Sequence, residues 1–435
     1  MDILPLVVMF GVFFVLMFLA VPISFAIGLS SLATLMMMFP LHQALVVTAQ
    51  KTASGFDSFT ILSLPFFILA GAVMNSGGIA RRLINLAKVI GSPLPGSLLH
   101  TTILGNMMFG ALSGSAVASA AAVGGVMAPE IRKAGIDPSL GAAANIASCT
   151  TGLLIPPSGA FIIYSLIAGG VSVSALFLAG YLPGILLGLV MMAVTSISAY
   201  RRGYSSQGWP SLTAVRQAFV EAILPLGMVL LVIGGMIAGM FTATEASAVA
   251  AVYALVLALM VYKEITVRDL GPIIMTTVET SAIVLFMVGV SVVMSWAMTF
   301  ADMPYMIEQL MALASDNLLV TMLIINVLLL IIGTFMDLTP GLLIFTPIFL
   351  PIVQKLGMDP VHFGVVITLN LCIGIVTPPV GSALFVGASV ANVSLRSVMA
   401  PLNLYYVAFL TVLALVTIFP EISLFLPRLL LGYGA

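Results

Sequence analysis

The chain has 435 residues, a net charge of -1 and two cysteines, with 61% hydrophobic and 7% charged residues, against roughly 25% charged in an ordinary soluble domain. That composition excludes a soluble globular enzyme and describes a polytopic membrane protein. Its apolar runs are continuous rather than alternating, which implies helices and excludes a β-barrel.

The first apolar run follows only Asp2, without a basic leader or a small-residue cleavage site, and reads as a retained helix rather than a signal peptide. Crossings are expected at residues 4–21, 22–39 and 60–78, a re-entrant hairpin at 98–128, and further crossings at 139–170 and 174–199. The hairpin tip, "GALSGSAVASAAAVGG" from Gly110 to Gly125, is built of small residues that let two half-helices approach. Ser113, Gly114 and Ser115 then offer hydroxyls and carbonyls to a facing segment, the alternative being a plain helix-packing seam. Cys149 lies in an apolar block, as does Cys372 later, and both read as buried hydrophobes with no disulfide framework or metal cluster to join.

A polar connector at 206–217 separates a first repeat, 1–205, from a second, 218–435. Crossings are expected at 219–241, 245–262 and 273–299, a second hairpin at 318–353, and crossings at 361–392 and 400–419. The second tip, "IGTFMDLTPG", carries Asp337. As a buried charge inside a re-entrant segment, Asp337 would need a partner, which assigns it to a cation site; a water-exposed cap is the alternative. Glu245 reads as a first-turn carboxylate favouring the helix dipole, and Glu279 is the other acid near an apolar segment. His42, His100 and His362 fall near segment ends and read as loop or interface histidines.

With the N-terminus outside, eleven of the fourteen Lys and Arg fall on the cytoplasmic side and Lys51, Lys355 and Arg428 outside. The positive-inside rule selects that orientation, with both termini periplasmic and both hairpins re-entrant. Shifting the sequence by 222 places "PEIRKAGIDP" from Pro129 on "PIVQKLGMDP" from Pro351, Gly152 on Gly374, Pro156-Pro157 on Pro378-Pro379 and Gly159 on Gly381. Five crossings per half is odd, so the copies are expected upside down relative to each other, the pattern of a secondary transporter.

Proline lacks an N–H and clashes with the preceding turn, so both Pro-Pro pairs must break their helices. Irregular backbone at that depth is tolerated only in a buried or polar setting. Its carbonyls suit sodium, and half-helix N-termini suit a substrate carboxylate. No Arg or Lys falls in the broken regions, so an anion there would depend on co-bound sodium for positive charge. A membrane-embedded enzyme would need a convergent catalytic set, which a lone Asp337 does not supply, and no G-x-x-x-x-G-K-[ST] loop marks a primary pump.

"SGSAVASAAAVGGVMAPE", "GLLIPPSGAFIIYSLIAGGVSVSALFLAGYLPG", "GTFMDLTPGLLIFTPIFLPI" and "TPPVGSALFVGASVANVS" closely resemble the large membrane subunit of tripartite ATP-independent periplasmic (TRAP) transporters. The resemblance implies an elevator mechanism in a bacterial inner membrane. Both hairpins and both broken helices would move past a scaffold of the remaining helices. It also implies a periplasmic substrate-binding protein and a small four-helix membrane subunit as partners, the latter expected as a separate polypeptide. The substrate would be an organic acid, a C4-dicarboxylate or a sugar acid such as sialic acid. Family sodium-site positions match Ser113, Ser115, Gly152, Ile155 and Pro157, and then Gly333, Asp337, Gly374, Thr377 and Pro379. Gly114, Ser158, Thr339 and Gly381 are the candidate substrate-binding positions, and no transition metal is expected. One departure is Ser119, where many members carry an acid; the first-half site is then left to carbonyls and hydroxyls. A stand-alone sodium:dicarboxylate symporter of similar architecture is the alternative.

Overall fold

The computed structural model describes residues 4–312 and 317–434, and within them the chain is all helix, turn and coil. Seven helices among these residues are long and apolar enough to cross a membrane, and the pair Pro138–Leu154 and Gly159–Ile167 is bent by 49°.

The identities between the two halves fall where helices start, stop or touch. Each hairpin ends in a helix closed by a left-handed glycine, Gly135 at φ 71° and Gly357 at φ 88°, a conformation glycine adopts without steric cost. Lys133 and Lys355 stand in the preceding last turns, where a cation suits the dipole. Next comes an Asp-Pro start: Asp137 accepts from Ser139 N at 2.9 Å and Asp359 from Val361 N at 2.8 Å. Pro138 and Pro360 occupy the first helical position, where no N–H is needed. Ser172 and Ser394 then cap the long helices that close each half.

Two helix pairs fold back at the tips, the first from Ser97–Ser113 and Ala116–Lys133, the second from Leu318–Gly333 and Leu338–Lys355. Other boundaries differ. The first two helices, Leu4–Phe18 and Ile23–Met38, stop short of the expected crossings because Ala20 turns at φ 58° and Pro22 opens the next helix. Four further helices went unforeseen: Leu41–Ser54, Ile79–Gly91, Met303–Ala312 and Glu421–Leu431. Each is too short or too mixed in character to give a continuous apolar signal.

Packing sorts the helices into two groups that cut across the sequence halves. One joins Leu4–Phe18, Ile23–Met38, Leu41–Ser54, Ser63–Ser76, Leu212–Ile237, Ala243–Val256 and Leu270–Phe300. The other joins both hairpins and both broken helices with Val173–Arg201, Leu395–Ile418 and Glu421–Leu431. The helices outside the hairpins and broken helices are therefore divided between the two groups. Val173–Arg201 and Leu395–Ile418 pack on each other and on the broken helices; Gly180 and Gly184 of Val173–Arg201 let that helix approach Leu154, Phe161 and Ile155 closely. Ile79–Gly91 bridges the groups, lying against Ser97–Ser113 on one side and Leu212–Ile237 on the other.

Candidate functional site

The first hairpin turns in two residues. Gly114, at φ 61°, ends the incoming helix and donates its N–H to Gly110 O at 2.8 Å. Ser115 is extended and caps the outgoing helix, its Oγ accepting from Ala118 N at 3.3 Å. The second tip runs through Thr334 to Asp337, which occupies the N-cap position of Leu338–Lys355 without capping it. Its Oδ1 instead accepts from Ser382 Oγ at 2.6 Å.

Both proline pairs break their helices, and both peptide bonds, Pro156-Pro157 and Pro378-Pro379, are cis. The first break is buried: Ile155 is extended, packed under Gly184, and the Ser158 hydroxyl donates to the Leu153 carbonyl. The second break is exposed at Pro378, Pro379 and Val380. Here Thr377 Oγ1 donates to Ile373 O at 2.6 Å, Tyr406 OH to Val376 O at 2.8 Å, and Val380 N to Thr334 O at 3.1 Å, which stitches the break to the hairpin tip. The Ile373 carbonyl also accepts from Val376 N at 3.3 Å, so its two lone pairs are both engaged.

Just behind each tip a hairpin helix crosses the broken helix at a pair of glycines. A Cβ built on Gly110 would stand 2.7 Å from Gly152 Cα, and one on Gly374 would stand 2.5 Å from the Gly333 carbonyl carbon. Gly110, Gly152 and Gly374 leave no room for a side chain, and a Cβ on Gly333 would be tight at 3.2 Å from Gly374 Cα.

The tips and breaks face a cavity of about 700 Å³, whose opposite wall is the first packing group. Of the candidate positions, Ser113, Gly114, Ser115, Asp337 and Thr339 line it, alongside Gly159 and Ser382. Gly152, Gly333 and Gly374 lie at the crossings; Ile155, Pro157 and Ser158 are buried in the first break, with the Ser158 hydroxyl turned to Leu153; Thr377, Pro379 and Gly381 form the second break. The far wall supplies Asn75, Ser76, Thr276 and Thr280, which the sequence reading missed. The i, i+4 threonines on an otherwise apolar helix were the available signal.

Two expectations need correcting. Asp337 is exposed to the cavity, not buried, because the tip is a helix start facing open space. His100 and His362 are not loop residues: both are buried in helices, bonded to Ser196 Oγ at 3.1 Å and Ser423 Oγ at 2.6 Å. Glu245 closes a capping box with Thr242, as its first-turn position suggested. Glu279 is exposed on Leu270–Phe300, and Cys149 and Cys372 are buried free thiols.

Among the described residues, Asp337 is the one charged side chain in the cavity lining, and no group of three His, Cys, Asp or Glu could hold a metal ion. The remaining oxygens are hydroxyls and carbonyls, hard ligands suited to an alkali cation rather than a transition metal.

The profile of the tripartite ATP-independent periplasmic transporter, DctM component, matches residues 10–422. The Salmonella typhimurium protein YgiK is 51% identical over 98% of this chain and 98% of its own length. The sialic acid TRAP transporter large permease protein SiaM of Vibrio cholerae is 38% identical over 96% of this chain and 97% of its own. Among solved structures, the Alcanivorax borkumensis YdaH transporter superposes with a TM-score of 0.66 and 14% identity over 90% of each chain, a likeness of fold alone.

Proposed function

This chain belongs to the DctM-component family of tripartite ATP-independent periplasmic transporters, and from that premise we propose that it couples sodium entry to the import of an organic acid by an elevator motion. It is a large permease subunit of an organic-acid transporter and not an enzyme. The observation that carries the finer reading is the charge pattern of the cavity: one carboxylate, a ring of hydroxyls and carbonyls, and no cation in its described lining.

An organic acid entering such a space meets only helix N-termini and neutral donors, which do not offset the desolvation of a carboxylate. Sodium held by the hairpin tips, with Asp337 attracting it, supplies that positive charge. Sodium and substrate then enter as a pair because each lowers the cost of the other. The packing group that holds both tips and both breaks is the moving body, and the cavity is the interface along which it slides. A small membrane subunit widens the fixed group, and a periplasmic binding protein delivers the substrate, a sugar acid such as sialic acid or a C4-dicarboxylate. The inner membrane is the setting, with both termini periplasmic.

The test is uptake into proteoliposomes containing this chain, a small membrane subunit and candidate binding proteins, screened over organic acids. Uptake that follows an imposed sodium gradient, and requires the small subunit, is expected. Undiminished uptake in sodium-free, proton-buffered medium overturns the coupling. Full activity without the small subunit points to a stand-alone symporter.

A further inference from the structure

Each glycine crossing has a buried asparagine pair directly behind it, on the side away from the cavity. In the first half, Asn106 Nδ2 donates to Asn145 Oδ1 at 3.0 Å and to Ser148 Oγ at 2.8 Å. Asn106 Oδ1 accepts from Ser119 Oγ at 2.7 Å, and Asn145 Nδ2 donates to Ala120 O at 2.9 Å. In the second half, Asn370 Nδ2 donates to Asn326 Oδ1 at 2.9 Å and to Asn326 O at 3.0 Å, while Asn326 Nδ2 donates to Thr417 Oγ1 at 3.1 Å. Asn106 and Asn370 are 0% exposed, Asn145 3% and Asn326 8%.

The placement is not accidental to the helix geometry. Asn106 is four residues before Gly110, Ser148 four before Gly152, Asn370 four before Gly374 and Asn326 seven before Gly333. Those spacings put amide and glycine on one helix face. Each pair therefore joins the same two helices that meet at the glycines. A glycine crossing alone sets a close distance but leaves the helices free to slide, since dispersion is non-directional. An amide–amide bond in an apolar interior is directional, and sliding by one turn strands buried polar atoms at high cost.

We propose that the pairs Asn106–Asn145 and Asn326–Asn370 are positioning residues that fix the register of each hairpin helix on its broken helix, and thereby hold the tip and break oxygens at sodium-binding spacing. This rests on the sodium reading above. The two pairs are not equivalent: Asn370 Oδ1 has no partner among the described residues, whereas each side-chain amide N and O of the first pair has one. The second clamp is the looser one, and its loss is the more easily tolerated in folding.

The experiment uses the purified full-length chain in detergent and sodium alone as the probe, with choline as the salt control. Thermal unfolding is followed against sodium concentration for the wild type, N106L, N370L, N326L and N326L/N370L, with T195V as a comparison that removes a buried hydrogen bond to Tyr405 belonging to neither asparagine pair. Loss of a residue that orients ligands typically costs about tenfold or more in metal affinity, so N370L and N326L should raise the half-stabilising sodium concentration by about that factor. The double variant should match either single one in its sodium midpoint, since both break the shared Asn326–Asn370 amide bond, while N326L alone also loses the bond to Thr417. T195V should lower the unfolding temperature and leave the sodium midpoint in place. If N106L fails to fold, the second pair alone decides. Variants that lose stability with an unmoved sodium midpoint overturn the positioning role. A wild type unresponsive to sodium overturns the underlying reading instead.

Discussion

Gly374 sits where a methyl group would meet the Gly333 carbonyl carbon at 2.5 Å and its Cα at 2.6 Å, both backbone atoms that cannot swing aside. Gly374→Ala must therefore push the hairpin off the broken helix. Overpacking of this kind costs about 1–3 kcal/mol, and because the displaced atoms form a site wall, uptake should fall further than stability does. Parallel thermal unfolding and uptake measurements check this; a variant with normal uptake would show that the crossing distance is not critical. Asp337 poses a different question, because its exposure to the cavity removes the desolvation cost that a buried acid would carry. A unit charge 4 Å away contributes ~1 kcal/mol in water, about fivefold in an equilibrium constant. Asp337→Asn retains an acceptor for Ser382 but loses that attraction, so the half-saturating sodium concentration for uptake should rise by about that factor. No change would remove Asp337 from the cation site. Asp337 is legible in the sequence as a lone acid in an apolar tip. Its exposure is not, because the cavity wall opposite comes from Phe59–Ser76 and Leu270–Phe300, whose proximity no local pattern encodes.

At the scale of elements, the best-read features are those written in backbone-setting residues. The Gly-x-Asp-Pro runs at 135–138 and 357–360, both Pro-Pro breaks and both tips stand where the sequence puts them, since glycine, proline and a capping carboxylate each constrain φ or satisfy an N–H regardless of tertiary context. The bridging helix Ile79–Gly91 had no such marker beyond its amphipathic pattern. Two ionic contacts at the hairpin base show how differently elements can be joined. Lys88 Nζ meets Glu130 Oε1 at 2.6 Å between half-exposed side chains, a pairing worth about 0–1 kcal/mol. Arg132 Nη2 instead bonds the Ala391 carbonyl, and that of Asn392 at 3.4 Å, at the end of Ser382–Val390. Hydrogen bonds from a charged donor contribute about 1.5–3 kcal/mol, and the exposure of Arg132 holds this one to the low end of that range. Arg132→Met should thus destabilise the chain clearly and Lys88→Met barely, in thermal unfolding at moderate salt. Because the other end of that short helix carries Ser382, Arg132→Met should also weaken sodium-dependent uptake. Equal effects of the two substitutions would mean that the helix end does not need its cation.

For the whole molecule, the division into two packing groups was not legible, because it depends on which small-residue faces meet across the halves rather than on any one segment. Its consequence concerns the direction in which the cavity opens. The lining includes Asn75 and Ser76 at the end of one span and Pro272 and Ile273 near the start of another. Arg81 and Arg82 follow the first directly, and Lys263 and Arg268 precede the second. In the orientation proposed above, those basic ends lie in the cytoplasm and the cavity would open inward. Cys149 and Cys372 are 0% exposed and can stay in place as an unreactive background. Asn75→Cys should then react with a membrane-impermeant maleimide in inside-out vesicles and resist it in right-side-out ones. Leu45→Cys, on the exposed face of Leu41–Ser54, should show the opposite preference. Swapped preferences would invert the topology, placing both termini in the cytoplasm and the cavity mouth outside. Equal labelling of Asn75→Cys from both faces would instead mean that the unloaded moving group visits both sides of the membrane, the return step that an alternating-access importer needs after releasing its cargo.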